Sequence, residues 1–428
     1  MTHLAVDSAL AGVPERWRRS RLKAETKRLE NRRGTRDLDL LSLASAGYLS
    51  PRDQGQNRQR PAEESIPRYL AVEAGDLVVN PMWLTGGSVA VSSLSGAVSP
   101  DYRVFRPGAA VVPRFLHHVL RSQPYMDQYR LYTRADTTFD RRVQQSDLDN
   151  LPLALPNVDE QRRIADFLDD QVSRIDQAVS RRRWQVSLLA LRDESAVVSA
   201  LRGESDAESP KDSGLDWLGA TCRSWPVLSV TSQFAVVLGK MLNEERTVGG
   251  RLRTYLRNTN VQWDRIETHD LKQMDFPLSE RRRYEVLNGD LLICEGGQPG
   301  RAAIWSGDSE IYYQKALHRA RSRGRSLPRW LFYCLRAAVA RDAFGAAEQT
   351  TIAHLTSEQL RATKFPFPEP SIQERLVRLL DENLDASRNL AEALDRSVRL
   401  LSERKRALIT AAVTGEFDVT TASGRGVA

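Results

Sequence analysis

The chain has 428 residues, of which 41% are hydrophobic and 27% charged, and its net charge of +7 comes mainly from arginine. This length and composition indicate a globular protein of two or three domains, and the positive charge favours a polyanionic partner. No apolar run approaches the roughly 20 residues of a membrane span, and the three scattered cysteines indicate reduced thiols. We therefore expect a cytoplasmic protein rather than a membrane or secreted one.

Along the chain, five segments of the first half recur in the same order in the second half. The best match pairs "LPLALPNVDEQRRIADFLD" with "FPFPEPSIQERLVRLLDENLD" and aligns Gln161 with Gln373, an offset of 212 residues. The other pairs of segments are 13–22 with 223–230, 73–80 with 287–294, 112–122 with 327–337, and 137–156 with 350–368. Chance similarity does not preserve order over five segments, so the sequence predicts an internal duplication.

Each copy ends in a long segment with apolar residues every three or four positions. This spacing predicts a helix of about 40 residues with one narrow apolar stripe. A long helix with a narrow stripe needs a partner, and we expect the two copies to pair as a coiled coil. The alternative is that each helix lies on its own globular unit. The residues expected to pair the helices are Ile164, Leu168, Ile175, Val179, Leu189, Leu380, Leu384, Leu394, Val398 and Leu401.

The repeat also suggests domain boundaries. The predicted segments are a globular unit at 1–150, a long helix at 151–202, a linker at 203–214, a second globular unit at 215–365, a second long helix at 366–415 and a tail at 416–428. In the second unit, "GDLLICEGG" and "GRAAIW" predict strands joined by a glycine-rich turn, and "PRWLFYCLRAAVARDAF" predicts a helix. The final "TTASGRGVA" is expected to be disordered.

The sequence carries no recognisable catalytic motif. "LGKML" at 238–242 has the lysine of a phosphate-binding loop but neither its spacing nor its hydroxyl. The glycines of "EGGQPGR" at 295–301 favour a tight turn over a dinucleotide-binding loop, because a second strand follows. The six histidines do not cluster as metal ligands would. We therefore expect a binding protein with no catalytic residue, metal site or cofactor of its own.

Several stretches carry a resemblance to a known family. "KDSGLDWLGATCRSWPV" at 211–227, "RTYLRNTNVQWDRIE", "ERRRYEVLNGDLLICEGGQPGRAAIW" and "KRALITAAVTGEFDV" at 405–419 are similar to recurring motifs of type I restriction-modification specificity subunits. The resemblance implies an α+β fold in which two mixed α/β target-recognition domains are separated by two long antiparallel coiled-coil helices with pseudo-two-fold symmetry. The first half departs more, since "NPMWLTGGSVAVSS" replaces the glutamate-glycine turn of the second half.

The same resemblance implies a function and partners. Each globular unit would read one part of an asymmetric bipartite site on double-stranded DNA. Two methyltransferase subunits and two restriction/translocase subunits would join the complex, and S-adenosylmethionine, ATP and Mg²⁺ would bind to those partners. The alternatives are a DNA methyltransferase with an unrecognised catalytic unit, or a coiled-coil adaptor that does not bind DNA.

Loops rich in Arg, Gln and Asn suit DNA contact, because Arg pairs with guanine and Asn or Gln with adenine through two hydrogen bonds. Runs of arginine more plausibly grip phosphates, and a solvated loop has the same composition. In the first unit the candidates are Arg52, Gln54, Gln56, Asn57, Arg58, Gln59 and Arg60. In the second unit they are Lys240, Arg257, Asn258, Asn260, Arg281, Arg282, Arg283, Gln298, Arg301, Arg319 and Arg321.

Overall fold

The computed structural model describes residues 8–52, 62–133, 142–205, 209–241, 252–344 and 354–419. Contacts divide the chain into unit 1, made of Met1–Arg183 and Asp395–Ala428, and unit 2, made of Trp184–Leu394. Both division points lie inside long helices. The six segments expected from the sequence were bounded at the ends of the repeat. The contacts divide the chain at other positions and do not test those boundaries, which stay a prediction.

Unit 1 mixes short strands with helices. Its strands are β1 (Arg18–Arg21), β2 (Thr26–Leu29), β3 (Leu41–Leu43), β4 (Leu49–Pro51), β5 (Leu70–Val72), β6 (Leu77–Val79), β7 (Val89–Val91), β8 (Gly96–Val98), β9 (Arg103–Pro107) and β10 (Pro152–Leu155). Its helices are α1 (Leu22–Glu25), α2 (Pro113–Arg121), α3 (Gln123–Tyr132), α4 (Gln145–Asp149) and the first part of α5 (Val158–Arg202). Short 3₁₀ turns lie at Ser8–Leu10, Glu63–Arg68 and Leu84–Gly86.

An antiparallel sheet of strand order β2-β9-β6-β7 organises unit 1. Successive side chains of a strand point to opposite faces. Leu77 and Val79 accordingly pack with Phe115 of α2, while Val78 packs with Leu41 on the other face. This explains why β6 is apolar throughout, since both faces of the sheet are covered.

Unit 2 contains more strands. They are β11 (Pro210–Leu215), β12 (Gly219–Cys222), β13 (Val227–Ser229), β14 (Phe234–Leu238), β15 (Leu252–Leu256), β16 (Val261–Gln262), β17 (Arg265–Ile266), β18 (Lys272–Asp275), β19 (Glu285–Val286), β20 (Leu291–Cys294), β21 (Ala302–Ile304), β22 (Ile311–Tyr313), β23 (Leu317–Ser322) and β24 (Lys364–Pro366). Its helices are α6 (Val230–Gln233), α7 (Arg281–Tyr284), α8 (Pro328–Ala340), α9 (Ser357–Ala362), the second part of α5 and the first part of α10 (Pro370–Thr414). Short 3₁₀ turns lie at Asn258–Asn260 and Leu278–Glu280.

A sheet of order β14-β23-β20-β21 repeats the arrangement seen in unit 1. Leu291 and Ile293 pack on the face that carries Trp330 of α8, and Leu292 and Cys294 pack on the other. The strands predicted on either side of the glycine-rich turn are confirmed as β20 and β21, and the helix predicted for "PRWLFYCLRAAVARDAF" is confirmed as α8. A second sheet, β18-β15-β22-β19, includes one parallel pair and has no counterpart among the described residues of unit 1.

The two long helices are equal in length. α5 and α10 have 45 residues each and start and end at the predicted offset of 212. Each is followed by a glycine with a left-handed backbone, Gly203 at φ +68° and Gly415 at φ +75°. A Cβ at Gly203 would lie 2.8 Å from Cys222, and one at Gly415 would lie 2.6 Å from Pro14. Glycine therefore suits both the helix termination and the close approach.

The predicted pairing residues of α5 and α10 differ in burial. Five are buried, namely Ile164, Leu168, Ile175, Leu380 and Leu384. Five are half-buried, namely Val179, Leu189, Leu394, Val398 and Leu401. In unit 1 the helices run in opposite directions, because Phe167 contacts Phe417 with ring centroids 5.6 Å apart while Asp176 Oδ2 lies 2.7 Å from Lys405 Nζ.

A buried glutamine joins α5 to the rest of unit 1. Gln161 Oε1 accepts a hydrogen bond from Val112 N at 2.8 Å, at the start of α2. Its Nε2 donates to Ala110 O at 3.0 Å and Pro156 O at 2.9 Å. The side chain thus satisfies backbone groups at two helix starts that would otherwise be buried without partners.

Unit 2 contains the same contact. Gln373 Oε1 accepts from Leu327 N at 2.9 Å, at the start of α8, and its Nε2 donates to Pro368 O at 2.7 Å and to Ser326 Oγ at 3.1 Å. The glutamine that aligned the two halves in the sequence therefore has one structural role, which is to fix the first turn of a long helix.

The linker at 203–214 stays a prediction, and no sequence signal indicated a strand within it. Pro210–Leu215 forms β11, which pairs with β12. A backbone pairing with a later strand decides this, and it leaves no periodic signal in a short polar segment. The tail residues 420–428 lie outside the described residues.

Candidate nucleic-acid interface

Six of the seven candidates of unit 1 lie outside the described residues, namely Gln54, Gln56, Asn57, Arg58, Gln59 and Arg60. Arg52 is described and donates from Nη1 to the Tyr69 hydroxyl at 3.3 Å. Both side chains line an open cavity of about 910 Å³ that Asn80, Trp83 and Tyr102 also line. One of its lining residues, Arg52, thus belongs to the predicted loop.

Trp83 is the most exposed of these aromatic side chains, at 54%. It lies in the segment between β6 and β7, where Asn80 Oδ1 accepts from Met82 N at 3.1 Å. An exposed tryptophan in a polar cavity offers a flat surface and an N–H donor to a ligand. The sequence analysis missed Asn80 and Trp83, although an aromatic residue beside paired glycines in "NPMWLTGG" was a usable signal.

A half-buried arginine fixes the Trp83 segment. Arg121 of α2 donates from Nη1 to Gly87 O at 2.5 Å and from Nη2 to Ser45 O at 3.2 Å. Gly47 leaves room for the guanidinium, because a Cβ there would lie 2.2 Å from it. Burial lowers the pKa of Arg121 from its ordinary value, and the backbone carbonyls compensate the charge. The segment is therefore held by α2 rather than by its own sequence alone.

The glycine-rich turn of unit 2 occupies the equivalent place between β20 and β21. Asn258 Nδ2 donates to Gly296 O at 2.7 Å, and Arg301 Nη2 donates to Asn258 Oδ1 at 3.2 Å. Gln298 is exposed at the tip of the turn and lines a cavity of about 420 Å³ in unit 2. Three predicted candidates, Asn258, Gln298 and Arg301, are thus brought together. Contact with DNA stays a prediction for them.

Arg281, Arg282 and Arg283 lie together on α7 and are exposed. A hydrogen bond to Glu285 raises the pKa of Arg281, and the guanidinium of Arg283 lies 5.3 Å from the ring centre of Tyr284. Such a cluster can neutralise phosphates through charge. Phosphate contact by these residues also stays a prediction.

Other candidates serve unit 2 internally. Lys240 is buried, donates to Asp275 O at 2.7 Å and lies 2.6 Å from Glu280 Oε2. Asn260 is buried and donates from Nδ2 to Glu267 O at 3.0 Å. Their polar atoms face the interior in this conformation, so their placement gives no support to the direct contact expected from composition.

The phosphate clamp expected on the arginine-rich strand β23 also stays a prediction, and the placement of its arginines gives it no support. Arg319 is buried and donates to Glu285 O at 2.5 Å, while Arg321 binds Asp290 through two hydrogen bonds of 2.8 and 2.7 Å. Alternation along the strand places these two side chains on one face of the sheet. Arg257 is likewise engaged, with Nη2 2.6 Å from Asp270 Oδ2.

The described residues contain no group of His, Cys, Asp or Glu that could hold a metal ion. Across the same part of the chain, no helix has the length and apolar character needed to span a membrane.

Comparison with known proteins gives a likeness in structure. No family model matches the sequence, and no curated protein matches it. A chain from a study of complex assembly and conformational transition of the type I R-M system matches with a TM-score of 0.73 at 18% identity, covering 95% of this chain and 99% of that one. The HsdS subunit from Thermoanaerobacter tengcongensis matches with a TM-score of 0.55 at 18% identity, covering 95% and 98%.

These likenesses show the fold. The chain has the mixed α/β fold with long helices that is found in solved structures of the type I R-M system. The resemblance suggested by the sequence motifs is therefore confirmed at the level of the fold. At this identity it does not transfer the role of any single residue.

Proposed function

We propose that this chain is the DNA-recognition subunit of a type I restriction-modification complex in the cytoplasm. Each unit reads one half of an asymmetric bipartite site on double-stranded DNA. The chain itself carries no catalytic residue, and S-adenosylmethionine, ATP and Mg²⁺ act on two methyltransferase and two restriction/translocase partner subunits.

One observation carries this proposal more than any other. The same strand order and the same glutamine contact occur in both units, but the turn after the central strand differs in chemistry. Unit 1 presents Trp83 beside Asn80, and unit 2 presents Gln298 beside Asn258 and Arg301. A common frame with two different surfaces suits one polypeptide that reads two different sequences.

The long helices have a mechanical role in this proposal. They pair as an antiparallel coiled coil with pseudo-two-fold symmetry and hold the two readers at a set distance along the duplex. Half-sites about one helical turn apart, near 34 Å, would let both readers enter the major groove from one side. Two equal helices also offer two equivalent docking surfaces, which suits two copies of a methyltransferase subunit.

The decisive experiment exchanges one reader. Residues 14–150 are replaced by the same unit of a relative, and the methylated bases are mapped in cells that also carry the modification subunit. We expect one half of the recognised sequence to change while the other half and the spacing stay the same. A change of both halves together would contradict the assignment of one half-site to each unit.

Two further measurements separate the alternatives. A methyltransferase with its own catalytic unit would methylate DNA as a purified single chain, whereas we expect no transfer without the partner subunits. A coiled-coil adaptor would not bind DNA, whereas we expect binding that weakens steeply with salt as phosphate contacts release counterions.

A further inference from the structure

The paired segments of α5 and α10 carry an ion pair in unit 1. Lys405 Nζ donates to both carboxylate oxygens of Asp176, at 2.8 and 2.7 Å. The side chains are 31% and 55% exposed, respectively, and Asp176 follows the buried Ile175 in the chain. Charged residues in this position of paired helices set which partner a helix accepts.

The equivalent positions in unit 2 carry the opposite charges. At the offset of 212, Asp176 corresponds to Arg388 and Lys405 corresponds to Asp193. Asp193 and Arg388 line one cavity, and Asp193 Oδ1 accepts from Ser387 Oγ at 2.6 Å. The acidic residue is therefore on α5 in both units and the basic residue is on α10 in both. This holds although the repeat relates each position of α5 to a position of α10.

We propose that these four charges direct each half of the chain to pair with the other half and not with a second copy of itself. In the observed pairing, an acid on α5 binds a base on α10 in unit 1, and an acid on α5 and a base on α10 line one cavity in unit 2. Two first halves paired in the same register would bring Asp176 against Asp193 twice. Two second halves would bring Arg388 against Lys405 twice, so both self-pairings would repel.

The neighbouring charges do not cancel this selection. Arg192 also donates to Ser387, but its equivalent at the same offset is Arg404, so both halves carry the same charge there. Arg388 contacts Asp264 and Asp385 at 3.3 and 3.1 Å and lines the same cavity as Asp193.

Selection of this kind suits a duplicated chain. The apolar stripes of two copies of one repeat are similar, so apolar packing alone cannot distinguish mixed from self-paired helices. Each exposed ion pair contributes little. A self-pair nevertheless has like charges at the two places where a mixed pair has opposite charges. Because specificity is a difference between affinities, this difference favours mixed pairs over self-pairs.

The test uses the full chain with a protease site in place of residues 206–208. The protein is folded, cleaved at that site, re-equilibrated in mild denaturant and examined by native mass spectrometry, which distinguishes the three possible pairs by mass. The original sequence is expected to give mixed pairs. Lys405→Glu is expected to raise the ratio of second-half self-pairs to mixed pairs by about fivefold or more.

A compensating variant separates charge from damage to the fold. In the double variant Asp176→Lys with Lys405→Glu, mixed pairs regain opposite charges, but both kinds of self-pair gain them too. We expect mixed pairs of normal stability together with self-pairs of both halves. The matched control is Arg399→Glu, which makes the same charge change at an exposed position of α10 and is expected to leave the distribution unchanged.

Two results would overturn the proposal. One is a pair distribution for Lys405→Glu that equals that of Arg399→Glu, or a shift that does not shrink in 1 M salt, where charges are screened within about 3 Å. The other comes from the uncleaved chain, which decides the matter even if the cleaved halves do not exchange. If Asp176→Lys and Lys405→Glu lower the urea midpoint additively, with no recovery in the double variant, the charges do not interact.

Discussion

In unit 1, Asp76 binds Arg106 through two hydrogen bonds of 2.8 and 3.0 Å, and the arginine side chain is 44% exposed. In unit 2 the equivalent Asp290 binds Arg321 in the same way and also faces the buried Arg319 at 4.0 Å. Both carboxylates accept a backbone N–H three residues earlier in the chain. The two units thus share the contact but differ in its surroundings.

A second difference lies beside the long helices. Arg114 and His118 of α2 bind Asp169 of α5, at 2.6 and 2.7 Å. In unit 2, Arg329 and Tyr333 of α8 bind Asp381 of α10, and Arg329 also pairs with Asp264 of the turn between β16 and β17. Unit 2 therefore connects a loop, a short helix and a long helix through one arginine. Both units therefore hold a short helix against a long helix through an arginine and an aspartate. They differ in the other charged residues that surround this contact.

The largest expected difference between the units concerns the two aspartates. We expect Asp290→Ala to destabilise unit 2 by about 3–5 kcal/mol, because it leaves the buried Arg319 and the half-buried Arg321 uncompensated. Asp76→Ala should destabilise unit 1 clearly less, because water can reach Arg106. Hydrogen exchange of β20 and β6 reads the two losses separately, and equal losses would contradict the comparison.

The glutamine contacts should instead behave alike. Gln161→Leu and Gln373→Leu each remove the partner of a buried backbone N–H, and we expect each to cost about 1–3 kcal/mol of unfolding free energy. The exposed Gln177→Leu serves as control and should change stability little. Urea unfolding checks all three, and a large inequality between the first two would show that the contact is not equivalent.

Acid should weaken both units through a histidine that is half-buried in unit 1 and buried in unit 2. Burial lowers the pKa of His117 in unit 1 to about 3 and also lowers the pKa of His318 in unit 2. The unfolded chain takes up these protons near pH 6.5 and the folded chain does not, so stability falls as pH decreases from about 6.5 towards 3. For one proton the slope is at most about 1.4 kcal/mol per pH unit.

A non-titrating variant isolates the contribution of unit 1. His117→Asn keeps an acceptor for Val91 N, which lies 3.4 Å from the histidine Nδ1. We expect the variant to flatten the loss of stability between pH 7 and pH 5 in unit 1 but not in unit 2. Hydrogen exchange at the two pH values measures this, and an unchanged slope in unit 1 would rule out His117 as the cause.

The smallest effects concern the candidate DNA surfaces. We expect Arg282→Ala in unit 2 to weaken binding a few-fold for all DNA sequences and to reduce the slope of log affinity against log salt by about 0.9 if one phosphate contact is lost. Trp83→Ala in unit 1 removes no charge and should weaken binding without changing that slope. Titration of duplex DNA at several salt concentrations distinguishes them, and no effect from either would leave these surfaces without a role in binding.

The features that the sequence could predict are local or repeated. The apolar spacing predicted two long helices, and the aligned Gln161 and Gln373 predicted a duplicated frame, because a helical stripe and a repeat are written directly in residue order. Strands β20 and β21 followed from a buried apolar run beside glycines. The segment 210–215 did not follow, since β11 forms only by pairing with a later strand.

The sequence by itself predicted the duplication and the two equal helices, because a repeat and a helical stripe are written in residue order, and the resemblance of its motifs implied the class of fold. Only the tertiary structure decided which charged residues face solvent. Lys240 and Arg319 were candidates on the same ground of composition as Arg282. They are nevertheless buried, where they contact Glu280 and Glu285, which lie far from them along the chain. The direction of an arginine side chain in a loop leaves no periodic pattern in the sequence. Long-range packing therefore decides whether the guanidinium is bound within the fold or faces a ligand.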